Sequence, residues 1–148
     1  LVDPPRSGEP WPLSEAVGDA GAAVSELDHV VVQTANCDRV LGIWGAKLGL
    51  DLRLDRSNEQ WGVRQLFFRC GTGVVEMASS LKRPVTGEPD RFGGLAWRVT
   101  DAVAAQARIA AAGFDVSDVK KGRKPGTLVF TVRNGTAGVP TILIQQNA

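Results

Sequence analysis

Leu27-Asp28-His29-Val30-Val31-Val32-Gln33-Thr34 and Gly94-Leu95-Ala96-Trp97-Arg98-Val99-Thr100-Asp101 decide the fold, because each opens the same series of elements. The first stretch is β-branched and bounded by polar residues, which predicts a strand over Asp28–Thr34. Asn36 or Asp38 can then cap a helix over Cys37–Leu48. Val40, Trp44 and Leu48 fall on one face of it, and Gly49 sits where a left-handed C-terminal residue is wanted. Strands are predicted over Leu50–Asp55, Val63–Cys70 and Val74–Ser79, the last two joined tightly through Gly71 and Gly73. The second stretch repeats the series. It opens with a strand over Gly94–Val99, followed by an Ala-rich helix capped by Thr100 or Asp101 and ended at Gly113. Strands over Phe114–Val119, Thr127–Arg133 and Pro140–Gln145 complete it. Gly49 and Gly113 lie 64 positions apart, as do Arg69 and Arg133. Arg69-Cys70-Gly71-Thr72-Gly73 also matches Arg133-Asn134-Gly135-Thr136-Ala137-Gly138 with a slightly longer loop. A duplicated β-α-β-β-β unit is the simplest reading, which makes the class α+β.

Composition bounds the rest. The chain has 148 residues, enough for one domain with a sizeable core. With 17 Lys+Arg against 16 Asp+Glu and no long basic block, a dedicated nucleic-acid binder is excluded. No apolar run approaches the length of a membrane span. Cys37 and Cys70 are too few for a disulfide framework, so a reducing, cytoplasmic home is expected. Residues 1–25 hold Pro4, Pro5, Pro10 and Pro12 and lack the basic and apolar regions of a secretory signal. They read as a linker or tail, following an upstream domain in a longer polypeptide or docking loosely through Trp11. The folded domain is expected over 26–148, with module one at 26–81 and module two at 92–146.

Leu27-Asp28-His29-Val30-Val31-Val32, Leu41-Gly42-Ile43-Trp44, Leu48-Gly49-Leu50, Val75-Glu76-Met77 and Gly94–Asp101 together resemble the vicinal oxygen chelate superfamily. That group holds glyoxalase I, extradiol ring-cleaving dioxygenases, methylmalonyl-CoA epimerase and the fosfomycin and bleomycin resistance proteins. The resemblance spans about residues 26–146. It implies two βαβββ modules forming a cupped eight-stranded mixed sheet, with helices outside and a ligand cavity within. Most relatives of this size form two-fold dimers, so a homodimer is expected.

The resemblance also implies a metal site with up to four ligands from four cavity strands. By position these fall on His29, Glu76, Gly94 and Ile142, and only the first two carry donor atoms. A catalytic zinc, iron, nickel or manganese ion normally needs at least three protein ligands, so only a partial, weakly binding site is expected. Restoring donors with Gly94→His and Ile142→Glu is expected to create a tighter one. Three roles stay open for His29: an inert polar residue of the wall, half of a weak metal site, or a metal-free proton-transfer or binding group. Glu76 lies among Val74, Val75, Met77 and Ala78, where a carboxyl group needs a partner or a task. His29 and Glu76 are thus the candidate catalytic pair.

Alternation along strands names their neighbours. Val31 and Gln33 share a face with His29, as Val74 and Ala78 do with Glu76. The matching second-module positions are Gly94, Ala96 and Arg98, then Pro140, Ile142 and Ile144. Gln33, Arg98, Gly94, Ala96 and Ile142 are therefore candidate substrate-binding residues, with room expected at Gly94 and Ala96. Arg98 could pair with Glu76 or with a ligand carboxylate. Trp44 and Trp97 take the other face, as core. The run Lys120-Lys121-Gly122-Arg123-Lys124 is a solvated loop or a positive lip over the cup. Two function classes follow. One is a protein that binds a small, anionic organic molecule in a cup with an incomplete metal site. The other is a metal-dependent lyase, isomerase or ring-cleaving dioxygenase whose site is completed by substrate, a partner chain or a missing domain.

Overall fold

The computed structural model describes residues 20–146; most of the proline-bearing arm, with Trp11, lies outside the described residues. Strands β1 (Val24–Gln33), β2 (Asp51–Asn58), β3 (Val63–Cys70) and β4 (Gly73–Ser80) belong to the first module, with helix α1 (Cys37–Val40) and its π-helical continuation (Leu41–Lys47). The second module holds β5 (Arg91–Val99), α2 (Ala102–Ala111), β6 (Lys120–Lys121), β7 (Thr127–Val132) and β8 (Thr141–Gln146). All eight strands form one mixed sheet in the order β2-β3-β4-β1-β5-β8-β7-β6. The modules meet where β1 pairs antiparallel with β5, within a single chain. β1 pairs parallel with β4, and β5 with β8, so each module repeats the same topology.

Each helix packs its apolar side on its own module, which makes two cores. Cys37 and Val40 of α1 lie against Leu66 and Phe68 of β3 and Met77 of β4, with Trp44 packed at the margin. Ala102 and Ala105 of α2 lie against Phe130 and Leu143, with Trp97 beside them. Among the described residues no helix covers the other face of the sheet. No described helix is long and apolar enough to cross a membrane.

The caps follow the local chemistry. Asn36 Oδ1 accepts from Arg39 N at 2.9 Å, and Asp101 Oδ1 accepts from Val103 N and Ala104 N at 2.9 Å each. The first helix departs from the expected pattern after one turn. Leu48 N reaches back five residues to Ile43 O at 2.9 Å, and this wider winding carries Leu48 off the buried face. Leu48 is 63% exposed, and Leu50 packs on the core instead. Phe114–Val119 also departs from expectation, keeping only a lone bridge from Val116 to Val132. There Asp115 N bonds to Asn134 Oδ1, and Thr131 N bonds to Ser117 Oγ, so side chains replace part of the ladder.

Packing begins ahead of Glu26. A 3-10 turn at Ala20–Ala22 places Gly21 O on Asp101 N at 2.9 Å and Ala22 O on the Arg108 guanidinium, and Ala22 is buried. A chain shortened to begin at Glu26 should therefore lose about 1–2 kcal/mol relative to one beginning at Ala20. Thermal melts of the two should differ by several degrees; equal melting temperatures would remove any stabilising role for this turn.

Candidate functional site

Strict alternation would send the neighbours Asp28 and His29 to opposite faces of β1. The register shows why it does not. Leu27 pairs with Trp97 and His29 with Ala96, which leaves Asp28 as an extra, bulged residue. The bulge lets Asp28 Oδ1 meet His29 Nδ1 at 2.7 Å. Asp28 Oδ2 accepts from Arg98 Nε at 3.0 Å, Arg98 Nη2 at 2.7 Å and Gln146 Nε2 at 2.7 Å. Arg98 Nη1 also donates to Glu26 Oε1 at 2.6 Å. Asp28 is buried, and burial alone would push its carboxyl up. Hydrogen bonds from His29 and Arg98, with their charges, outweigh that and hold it down at about 2.

An ionised carboxylate only accepts, so Nδ1 carries the proton between Asp28 and His29, and Nε2 is the nitrogen left to exchange one. That nitrogen lies 3.5 Å from Glu76 Oε2. Glu76 Oε1 accepts from Gln65 Nε2 at 2.5 Å, and Gln65 Oε1 accepts from Arg56 Nε at 3.1 Å. A polar chain thus crosses the sheet from Arg56 on β2, through Gln65, Glu76, His29 and Asp28, to Arg98 on β5 and Gln146 on β8. No buried side-chain polar atom among the described residues lacks a partner. The side chains of His29 and Glu76 keep 15% and 12% of their surface exposed, so the pair is held rigidly yet can be touched.

The remaining expected residues separate. Arg98 is committed to Asp28 and Glu26, and does not pair with Glu76. Ala96 is fully buried between His29 and Ile142, its register partners, so the expected room beside it is absent. Gly94 has φ +139°, and a Cβ there would meet Pro140 O at 2.5 Å. That same oxygen accepts from Leu95 N at 2.9 Å in the β5–β8 pairing. Glycine is required by the ladder itself, and Gly94→His cannot supply a ligand without breaking it. Gln33 lies further along β1 and lines a cavity of about 540 Å³ with Ala78, Ser80, Arg83, Thr86 and Arg91. Neither His29 nor Glu76 lines this cavity; Ala78, two residues beyond Glu76 on β4, does. Of the basic run, Arg123 stacks over Trp61, 5.0 Å from the ring centre, so the β6–β7 turn meets the β2–β3 turn.

The donor set does not fit a resident metal ion. His29 Nε2 and Glu76 Oε2 converge, but Gly94 and Ile142 offer no donor. Among the described residues no group of three or more His, Cys, Asp or Glu is arranged to hold one. Sequence alternation missed Asp28, Gln65, Arg56 and Gln146. Only Gln65 left a trace, as a polar residue ahead of Leu66-Phe67-Phe68.

Because Asp28 titrates well below the ordinary 3.8 when folded, its stabilisation is complete above about pH 4. It is lost as pH falls from there through about 2. Asp28→Asn should lose about 1–3 kcal/mol at neutral pH, less than a fully buried broken pair would because Arg98 is 38% exposed. It should also flatten the pH dependence of the urea midpoint between 4 and 2. A variant with unchanged slope would show that Asp28 is not the group responsible.

Comparison with curated proteins found no match. Several solved structures share the fold. Methylmalonyl-CoA epimerase from Mycobacterium tuberculosis superposes with a TM-score of 0.71 at 19% identity, covering 90% of this chain and 95% of that one. A Streptomyces coelicolor methylmalonyl-CoA epimerase in complex with 2-nitronate-propionyl-CoA gives 0.70 at 19% identity, covering 85% and 100%. A hypothetical protein from Bacillus halodurans C-125 gives 0.70 at 17%, covering 83% and 95%. A family model matches residues 28–130, most of the folded region, and the chain belongs to the Glyoxalase/Bleomycin resistance protein/Dioxygenase superfamily.

Proposed function

We propose that this chain binds a small organic acid or thioester on the concave face of its sheet and moves a proton with His29 and Glu76, without a resident metal. The observation that carries the reading is the 3.5 Å approach of Glu76 Oε2 to an imidazole whose other nitrogen is fixed by Asp28. In the proposed step, a C–H bond next to a carbonyl breaks and its electrons enter the carbonyl as an enolate. The proton goes to His29 Nε2. Glu76 and Asp28 flank the cation that forms, and the same proton or one from water returns to carbon. Two of the solved relatives named above are epimerases, and inverting a stereocentre of this kind is such a removal and return.

Incubation in D2O with a panel of α-substituted carboxylic acids and thioesters tests this, with mass spectrometry reading deuterium at carbon. His29→Gln and Glu76→Gln should each slow incorporation about 100-fold or more. Incorporation equal in wild type and both variants would sink the reading. Saturable binding with no incorporation would return the protein to the class that binds without chemistry.

The metal-dependent alternative has its own check. Calorimetric titration with zinc, manganese, nickel and ferrous iron should give no submicromolar binding, since two protein donors leave an ion held mostly by water. Submicromolar binding that disappears in Glu76→Ala would overturn the metal-free mechanism.

A further inference from the structure

The cavity of about 540 Å³ lies between the ends of β1, β3 and β4 and the segment joining the modules. That connector is fixed at both ends. Thr86 N bonds to Ala35 O at 3.3 Å, and Asp90 pairs with Arg39. Pro84 and Pro89 stiffen it between those points. The cavity is therefore a built space and not a gap under a loose loop.

Its charge is unusual for this molecule. Of the arginines among the described residues, only Arg69, Arg83 and Arg91 have side chains without an ion pair, hydrogen bond or ring partner, and two of these three line the cavity. Glu88 lines it too, leaving a net single positive charge among its ionisable groups. Ser80 Oγ accepts from Lys82 N, and Thr86 Oγ1 accepts from Glu88 N, so each hydroxyl hydrogen is still available to donate. Two guanidinium groups with hydroxyl donors suit a planar or tetrahedral oxyanion, which arginine can hold with paired N–H bonds.

Position relates this space to the proton-transfer pair. Ala78 follows Glu76 by two residues on the same face of β4, about 7 Å along the strand. Gln33, also on the cavity wall, is the register partner of Arg91.

Resting on the function proposed above, we infer that Arg83 and Arg91 form an oxyanion subsite that anchors the far end of the substrate. The substrate class is then an extended acid carrying a carboxylate or phosphate on the order of 10 Å from the carbon that loses its proton. Inorganic phosphate and succinate are the probes, titrated into 15N-labelled full-length chain at constant ionic strength. Saturable amide shifts at Ala78, Thr86 and Gly87 are expected with at least one of them, and the tighter one identifies the anion as phosphate or carboxylate. Arg83→Gln with Arg91→Gln should weaken binding at least about tenfold. Glu88→Gln should tighten it, and Arg69→Gln, removing one positive charge elsewhere, should leave it unchanged. Saturation by neither anion, undiminished binding in the double variant, or an equal loss in Arg69→Gln would each overturn the subsite. Glu76→Gln should bind the anion normally while losing deuterium exchange, so the subsite and the proton-transfer reading can fail separately.

Discussion

The antiparallel pairing of β1 with β5 carries the rest of the structure. Among the described residues it is the only ladder joining the two modules in the sheet order, and the two cores lie on either side of it. It is also irregular, with register shifts at Val24/Glu26, Leu27/His29 and Val31/Val32. Each shift changes which side chain faces the cup, because a strand has a period of two residues. The shift at Asp28 places a carboxylate and its neighbouring imidazole on one side. The shift at Gly93 arises where a Cβ would come within 2.9 Å of Val31. The seam that holds the halves together is thus the place where the site is shaped.

Asp28 shows how charge is made tolerable at that seam. An isolated buried carboxylate would cost several kcal/mol or take up a proton. Here Arg98 comes from the opposing strand, Gln146 from β8 and His29 from the same strand, so both oxygens are occupied. The arrangement fixes a tautomer as well as a position. The imidazole turns Nε2 toward Glu76, and Gln65 holds Glu76 in turn. Donor chemistry is therefore concentrated on β1, β3 and β4. Opposite them, the second module contributes a bare Gly94, a buried Ala96 and the apolar Ile142.

That asymmetry within a duplicated fold separates binding from chemistry. The space that could take a ligand's bulk lies at the far ends of β1 and β4, under the connector between modules, while the acid–base pair stands one pleat further along. A substrate serving both must be long enough to reach from one to the other. The stack of Arg123 on Trp61 brings together turns from opposite edges of the sheet, which shows how strongly it curls.

The sequence by itself determined the duplicated β-α-β-β-β order, the hairpin at Gly71 and the side on which each core lies, and it narrowed the caps to Asn36 or Asp38 and to Thr100 or Asp101. These follow from local propensity and periodicity, which act over a few residues at a time. Its resemblance to the superfamily also pointed to His29 and Glu76 and to the missing donors at Gly94 and Ile142. Only the tertiary structure decided that Asp28 joins His29, since a bulge depends on the partner strand and leaves no periodic signal in its own. It also gave Arg98 to Asp28, filled the expected space at Gly94 with Pro140 O, and left Arg83 and Arg91 without partners beside a cavity. Each of those outcomes depends on groups tens of residues apart in sequence, and no local pattern reports where such groups meet.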